Sequence, residues 1–161
     1  MLTRLKKDNK GFSIIELVII LLFIGVLVGI VGYTYSGIKA SSRNDKREAQ
    51  LRILQEYVEN FYSHNMYYPT LAEMNNPNWL AANMKGFTSS MIQDPSWTAT
   101  NKYCSVNNKP VLIAHSKYGC FGYAPTNNGV SCVALAKSCN HYTLTASLEQ
   151  SNTVYTLHQL D

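Results

Sequence analysis

One acidic side chain, Glu16, interrupts an otherwise uncharged and mostly apolar stretch that runs from Phe12 to Tyr35. An ionised carboxylate in hydrocarbon costs about 2.5–3.5 kcal/mol on insertion scales, so it requires a compensating cation. Cutting the Gly11–Phe12 bond would supply one, because the new amine on Phe12 would lie about one helical turn from Glu16. The alternative is a protonated, neutral Glu16 without a partner. The chemistry we expect is therefore proteolysis after Gly11, followed by pairing of an amine with a carboxylate.

The eleven residues before this stretch carry four basic side chains and one acid, and basic residues beside an apolar run hold that end of the chain in the cytoplasm. As a helix, residues 12–35 would extend about 36 Å, enough to cross a hydrocarbon core of about 30 Å. A secretory signal peptide also begins with basic and apolar residues, but its apolar run is only about 7–15 residues long. We therefore expect a single-pass membrane precursor whose N terminus is cytoplasmic and whose residues after Tyr35 are exported.

Gly25 and Gly29 lie four residues apart within the apolar run. This spacing is typical of faces on which membrane helices pack closely, because small residues let the backbones approach. Ordinary tolerance of glycine in a membrane helix is the alternative explanation. We interpret the pair as a candidate helix-packing face.

The helical pattern continues beyond the apolar run and becomes amphipathic over residues 36–64. Leu51, Leu54, Val58 and Phe61 recur at helical spacing, with Ile53 and Tyr57 beside them. The opposite side carries the charged residues Arg47, Glu48, Arg52, Glu56 and Glu59. Because proline is absent before Pro69, we predict one helix from about residue 12 to about residue 64, with its second half covering a sheet.

The remaining residues, 65–161, predict a small exported head. Asn and Pro clusters make residues 65–102 irregular, with a short helix at 71–74 or 79–84. Strand-like runs follow at 111–114, 120–123, 133–135, 142–148 and 153–158. The strict alternation of 142–148 is the clearest strand signal, and residues 150–152 predict a turn. The fold class we expect is α+β, a long helix on a small antiparallel sheet.

Four cysteines lie in this head: Cys104, Cys120, Cys132 and Cys139. An even number in an oxidising compartment predicts two disulfides, for which three pairings are open. We favour Cys104–Cys120 with Cys132–Cys139, because the shortest loops close at the least entropic cost. Zinc is disfavoured since no C-x2-C pair is present, so no metal is expected.

The sequence predicts no enzyme, because its histidines are scattered and it lacks an H-E-x-x-H, a G-x-S-x-G or a phosphate loop. No catalytic residue and no cofactor is therefore expected. Nucleic-acid binding is weakly supported, since it requires a clustered basic face and the net charge is only +4. It would be favoured if the lysines of the head clustered in space: Lys85, Lys102, Lys109, Lys117 and Lys137.

The segment Gly11-Phe12-Ser13-Ile14-Ile15-Glu16-Leu17 resembles the prepilin-peptidase site of type IV pilins and their relatives, whose signature is G-F-x-x-x-E. The basic leader and the apolar run belong to the same pattern, and the similarity covers about residues 6–35. Tyr68-Pro69-Thr70, Asp94-Pro95 and residues 142–149 resemble features of pilin heads more loosely. Two departures are the lack of a proline in the apolar half and the presence of four cysteines.

The resemblance implies a structural subunit of a type IV pilus. The leader, residues 1–11, would be removed by a prepilin peptidase that also methylates Phe12. The helix half 12–35 would then leave the membrane and form the core of an extracellular helical homopolymer, in which Glu16 meets the amine of a neighbouring Phe12. An assembly platform and minor pilins would be further partners, and adhesion, twitching motility or DNA uptake would be the use of the filament.

Other users of the same machinery remain alternatives. A type II secretion pseudopilin is one, although residues 101–161 hold only Glu149 and Asp161 as acids for the calcium that major pseudopilins bind. A minor or competence pilin is another, and the lysines of the head would decide it.

Overall fold

The structure, a computed structural model, describes residues 11–132, 139–150 and 153–160, apart from the side chains of 31–34 and 36. The fold is α+β, with a long N-terminal helix and small antiparallel sheets, as the sequence predicted. The chain divides into two units, which meet between Lys39 and Ala40. We call residues up to Lys39 the N-terminal unit and residues Ala40–Asp161 the C-terminal unit.

The first helix, α1, spans Ile14–Asn65, close to the predicted range. It stops where Met66 adopts a left-handed backbone with φ of 61° while its N–H still bonds to the carbonyl of Tyr62. Pro69 follows shortly afterwards and cannot continue a helix. Within the described part of the chain, no helix combines the length and the apolar character needed to cross a membrane.

Two short α-helices follow, α2 (Leu71–Met74) and α3 (Pro77–Asn83), so both of the alternatives for this region form a helix. Thr70 caps α2 in a reciprocal capping box with Glu73. Asn76 caps α3, and Pro77 occupies its first turn, where a missing N–H does no harm. A 3₁₀ helix, Ser89–Ile92, completes this irregular region.

The strands form two antiparallel sheets. The smaller sheet pairs β1 (Ser105–Val106) with β2 (Lys109–Pro110). The larger has the order β4-β3-β5-β6 and is built from β3 (Phe121–Asn127), β4 (Val130–Ser131), β5 (His141–Ser147) and β6 (Val154–His158). In its register Tyr123 faces Leu144, and Ala146 faces Tyr155. The predicted strands at 120–123, 142–148 and 153–158 are therefore confirmed.

The predicted strand at 111–114 is wrong, and a single side chain explains why. Asn75 takes both backbone groups of Leu112, because its Oδ1 accepts from the Leu112 N–H at 2.7 Å and its Nδ2 donates to the carbonyl at 2.8 Å. Only Ile113 bridges to Gly122 of β3. The predicted strand at 133–135 lies outside the described residues, as do Ser151 and Asn152 of the predicted turn.

The core lies between the second half of α1 and one face of the larger sheet. The predicted stripe of Leu51, Leu54, Val58 and Phe61 is buried, as are alternating residues of β5. Ile53 was predicted beside this stripe but is exposed, whereas Tyr57 packs against the core. This core supports the prediction of a helix covering a sheet.

Two disulfides are present, Cys104–Cys120 and Cys132–Cys139, and the favoured pairing is confirmed. The first joins the segment before β1 to the start of β3. The second closes over residues 133–138, which are not described. Both therefore close short local loops of the C-terminal unit.

Candidate functional site

The predicted cleavage point lies just before α1 begins. Gly11, Phe12 and Ser13 are not helical, and Phe12 is 78% exposed. A Cβ built on Gly11 would meet no atom within 4 Å, so the space around this residue is open. The Gly11–Phe12 bond is thus accessible, while residues 1–10 of the predicted leader lie outside the described residues.

Glu16 lies in the first turn of α1 and helps to cap it. Its Oε2 accepts a hydrogen bond from the N–H of Ser13 at 3.0 Å, and the Ser13 Oγ accepts from the N–H of Ile15 at 3.3 Å. A carboxylate at this end of a helix also interacts favourably with the helix dipole, by about 0.3–1 kcal/mol. Glu16 therefore has a structural partner in the uncut chain.

Reasoning from the sequence did not identify this cap, although the signal was present. Ser13-Ile14-Ile15-Glu16 matches the S-x-x-E pattern that precedes apolar helices. The same carboxylate can thus serve helix initiation and charge pairing. The two roles differ in the partner that Glu16 needs, because helix capping uses a backbone N–H and only charge pairing requires a cation.

The apolar side chains that follow Glu16 are uncovered. The large aliphatic and aromatic residues between Ile14 and Val28 are 44–85% exposed. A Cβ built on Gly25 or on Gly29 would meet no atom within 4 Å, so the predicted packing face is open. A contiguous apolar surface of this size is typical of an interaction site.

The charged side of α1 contains a residue whose environment was predicted incorrectly. Arg47 was placed on the solvated side, but its side chain is fully buried. Its Nε and Nη2 donate to the two carboxylate oxygens of Asp94 at 2.7 and 3.0 Å. Glu149 forms a second ion pair with it at 2.8 Å, and Ser96 accepts a further bond at 2.9 Å. The buried cation is therefore fully paired.

Burial alone would lower the pKa of Arg47, but the hydrogen bonds and charges of Asp94 and Glu149 outweigh it and raise that pKa. Hydrogen bonds from Arg43, together with those from Arg47, lower the pKa of Glu149 to about 2 even though burial opposes this shift. The lowered pKa keeps the Glu149 carboxylate ionised beside the arginine at neutral pH.

Residues of α1 also form hydrogen bonds with the backbone of Glu149. The Asn44 Nδ2 donates to the carbonyl of Glu149 at 3.2 Å, and its Oδ1 accepts from the N–H of Glu149 at 3.0 Å. Arg43 forms an ion pair with the Glu149 carboxylate. Arg43, Asn44 and Arg47 of α1 thus all bind Glu149, which lies just after β5. In the sequence Glu149 is only an isolated acid.

Glu59, also predicted on the solvated side, is half-buried among tyrosines. Its carboxylate accepts from the hydroxyl of Tyr142 at 2.6 Å and from that of Tyr68 at 3.1 Å. Burial, with the charge and hydrogen bond of Glu59, raises the pKa of both tyrosines. These groups stabilise the packing of α1 on β5 and leave no free acid in this core.

No assembled catalytic centre occurs among the described residues. The four histidines are exposed, and three of them bond to different partners: His64 to Asn60, His141 to Asn140 and His158 to Thr143. Both pairs of cysteines are disulfide-bonded, and no three metal-ligating side chains converge in the described ranges.

Comparison of the chain with protein-family models, curated proteins and solved structures finds no match.

Proposed function

We propose that this chain is the subunit of a type IV pilin-like filament. It would be inserted in the membrane as a precursor, cut after Gly11 by a prepilin peptidase and methylated on Phe12. An assembly platform and minor pilins would then help it to form an extracellular homopolymer. The observation that carries this proposal is an accessible Gly11–Phe12 bond next to a lone carboxylate at the start of an uncovered apolar helix.

The uncovered side chains supply the driving force for assembly. Complete burial of one large aliphatic side chain is worth about 1.5–3 kcal/mol, and many such residues precede Val28. In the precursor this surface would be covered by lipid, and in the filament by neighbouring helices. Gly25 and Gly29 would let two helices approach closely, since no atom lies near either position.

Glu16 would supply the alignment. In the uncut chain it bonds to the Ser13 N–H, and cleavage creates a second, charged donor at Phe12. Inside an apolar bundle a carboxylate is stable only when it is paired, so subunits would settle where amine and carboxylate meet. Methylation would keep the amine charged while reducing its hydration. The pairing would thus set the axial register.

The C-terminal unit would form the exterior of the filament. The buried Arg47 network and the Cys104–Cys120 bridge stabilise this unit without using the apolar surface before Val28. Adhesion, motility or DNA uptake would then depend on what this exterior contacts.

The test expresses the full chain with its assembly machinery, shears surface filaments and identifies their subunits by mass spectrometry. We expect peptides that begin at a methylated Phe12. Glu16→Gln should leave cleavage intact and reduce filament yield at least tenfold. The matched control Glu56→Gln, an exposed acid later on the same helix, should assemble normally.

A second control separates docking from helix capping. Ser13→Ala removes the hydroxyl of the cap but keeps the carboxylate, so it should assemble nearly as well as the unaltered chain. Equal loss in Ser13→Ala and Glu16→Gln would reassign Glu16 to capping. Mature-sized protein from Gly11→Leu would contradict the cleavage site. A cut and methylated subunit that stays in the membrane fraction would instead favour a pseudopilin or a minor pilin.

A further inference from the structure

A cavity of about 370 Å³ lies between the two short helices and the smaller sheet of the C-terminal unit. Its floor consists of buried apolar side chains: Met74 of α2, Leu80 of α3, Phe87 and Ile92. Sites for small molecules commonly have volumes of about 300–1,000 Å³ and are mostly apolar, with a few polar groups that fix the ligand. The polar residues of this cavity therefore decide what it can bind.

The interior of the cavity is apolar. Asn75 also lines it, but the Oδ1 and Nδ2 atoms of Asn75 bond to the backbone N–H and carbonyl of Leu112. These two bonds join the end of α2 to the segment after β2 and so connect two walls of the cavity. A polar group that is buried without a hydrogen-bond partner costs free energy. The interior thus suits the apolar part of a ligand.

The smaller sheet places a lysine at the exposed side of the cavity. Asn107 and Asn108 have left-handed backbones, with φ of 50° and 58°, and form the two-residue turn of a tight hairpin between β1 and β2. This turn pairs Val106 with Lys109. Residues directly opposite each other in a sheet share one face, and both of these line the cavity. An exposed cation therefore stands beside an apolar neighbour at this side.

The ammonium group of Lys109 has no counter-charge within the described chain. No acid lines the cavity, and residues 95–148 contain neither Asp nor Glu. The Nζ atoms of Lys102 and Lys117 lie 5.2 and 4.0 Å from the ring centroid of Tyr103. Lys109, in contrast, forms neither an ion pair nor a ring contact among the described residues. It is available to an anion from outside the molecule.

We propose that this cavity binds a fatty acid anion of short to medium chain length. The alkyl chain would lie among the side chains of the floor, and the carboxylate would meet the ammonium group of Lys109. Met74 suits this role, because a flexible thioether adapts to apolar groups of different shape. Burial of the chain would supply most of the affinity, and the lysine would select an acid over a neutral molecule.

A fatty acid matches the cavity better than a peptide segment does. A peptide carries polar backbone groups along its whole length, and each of them needs a partner when it is buried. Apart from Asn75, the polar side chains that line the cavity are the exposed ones of Ser89, Asn107 and Lys109. A ligand with a single polar end fits this arrangement. The inference extends beyond filament assembly, since the whole cavity belongs to the C-terminal unit.

The test observes isotope-labelled methionine methyl groups by NMR in the full chain, held in a neutral sugar detergent. Met74 lines the cavity, whereas the exposed Met66 and the buried Met84 do not, so these two report non-specific effects. Hexanoate should shift the Met74 signal in a saturable way and leave the other two in place. Hexanol should bind about threefold more weakly, as expected for the loss of one exposed ion pair.

Two matched pairs of variants locate the site. Lys109→Gln should abolish the preference for hexanoate over hexanol, and Lys85→Gln, which alters an exposed lysine outside the cavity, should keep it. Ala81→Phe would place a ring in the cavity and should stop either ligand from shifting the Met74 signal. Ala82→Phe changes the exposed neighbour on α3 and should bind normally. Thermal unfolding checks that each variant retains the fold.

Four results would each overturn the proposal: a Met74 signal that hexanoate does not shift, equal shifts of the Met66 and Met84 signals, an unchanged preference for hexanoate in Lys109→Gln, or equal binding by Ala81→Phe and Ala82→Phe. Tighter binding of the neutral peptide analogue N-acetylleucinamide than of hexanoate would also overturn it, because the cavity would then be assigned to the side chain of a partner peptide.

Discussion

The two halves of α1 contain similar apolar residues in opposite environments. In the N-terminal unit, Ile14 and Leu22 are 85% and 67% exposed. In the C-terminal unit, Leu51, Leu54 and Val58 are completely buried. Leucine and isoleucine favour burial at both positions, so the difference in exposure lies in what the rest of the chain provides. The second half of α1 packs on a sheet, whereas the apolar side chains of the first half are exposed.

This difference in exposure follows the distribution of apolar residues around the helix. The second half carries a stripe, because one face suffices for packing on β3 and β5. The first half is apolar on all sides, which is the pattern of a helix surrounded by other apolar matter. The stripe thus matches the sheet within the chain, whereas the all-round apolar pattern matches the neighbouring helices of the proposed filament. Substitutions in each half test this contrast.

The largest effect on stability is expected from Arg47, the buried cation of the C-terminal unit. Arg47→Met would leave the carboxylate of Asp94 buried without its cation, which should cost about 3–5 kcal/mol of unfolding free energy. Urea unfolding followed by the fluorescence of Trp79 and Trp97 measures this loss. The exposed control Lys46→Met should change stability by less than about 0.5 kcal/mol. Equal stability of the two variants would mean that the network is not structural.

A matched pair of leucines tests the contrast directly. Leu54→Ala should destabilise the C-terminal unit by about 2–5 kcal/mol, since it creates a cavity in the core. Leu21→Ala should leave the same urea midpoint unchanged because its side chain is exposed, and should instead reduce filament yield. If Leu21→Ala destabilised the C-terminal unit, the apolar half would have a partner within the chain.

The third effect is a change in pH dependence. The pKa of Glu149 is about 2 in the folded chain and near its ordinary value of 4.5 when unfolded. Between these values the unfolded state binds the additional proton, so stability rises with pH and is lost as pH falls through the folded pKa. Glu149→Gln should therefore flatten the dependence of the melting temperature on pH between about 2 and 4.5. Glu56→Gln should retain the slope of the unaltered chain.

The smallest effect on the single chain is expected at Gly29. Gly29→Ala meets no atom within 4 Å and should raise the stability of the helix by up to about 1 kcal/mol. Circular dichroism would measure this gain during heating. If helices pack on this face in a filament, the same substitution should lower filament yield. Normal yield would remove Gly29 from the packing face.

Much of the fold followed from short-range patterns. The length of α1, the alternation of β5 and the short disulfide loops each depend on residues that lie close together in the chain. Predictions were wrong where a side chain distant in the sequence made the contact that decides the local structure. Asn75 forms hydrogen bonds with the backbone of Leu112 in place of a strand partner. Ion pairs with Asp94 and Glu149 stabilise the Arg47 side chain in the interior.

The candidate site also has features that neighbouring residues define and a use that they do not define. The Gly11–Phe12 step, Glu16 and the apolar run are consecutive, so the sequence alone determines them, including the S-x-x-E cap that pattern reading missed. Their use in assembly stays a prediction, since the structure contains a single chain and the apolar half of α1 is exposed. The filament therefore remains to be tested by the substitutions at Glu16 and Gly11.

Order along the chain is enough to show where it becomes apolar, where it becomes amphipathic and that its four cysteines lie in the head. These properties depend on residues that are neighbours in the chain and on a 3.6-residue or two-residue period. The pairing of the cysteines, the burial of the Arg47 cation and the contact of Lys102 and Lys117 with one tyrosine are visible only in the folded chain. The physical reason is that charge pairing and ring contacts depend on distance in space, which folding sets between residues that the sequence keeps apart.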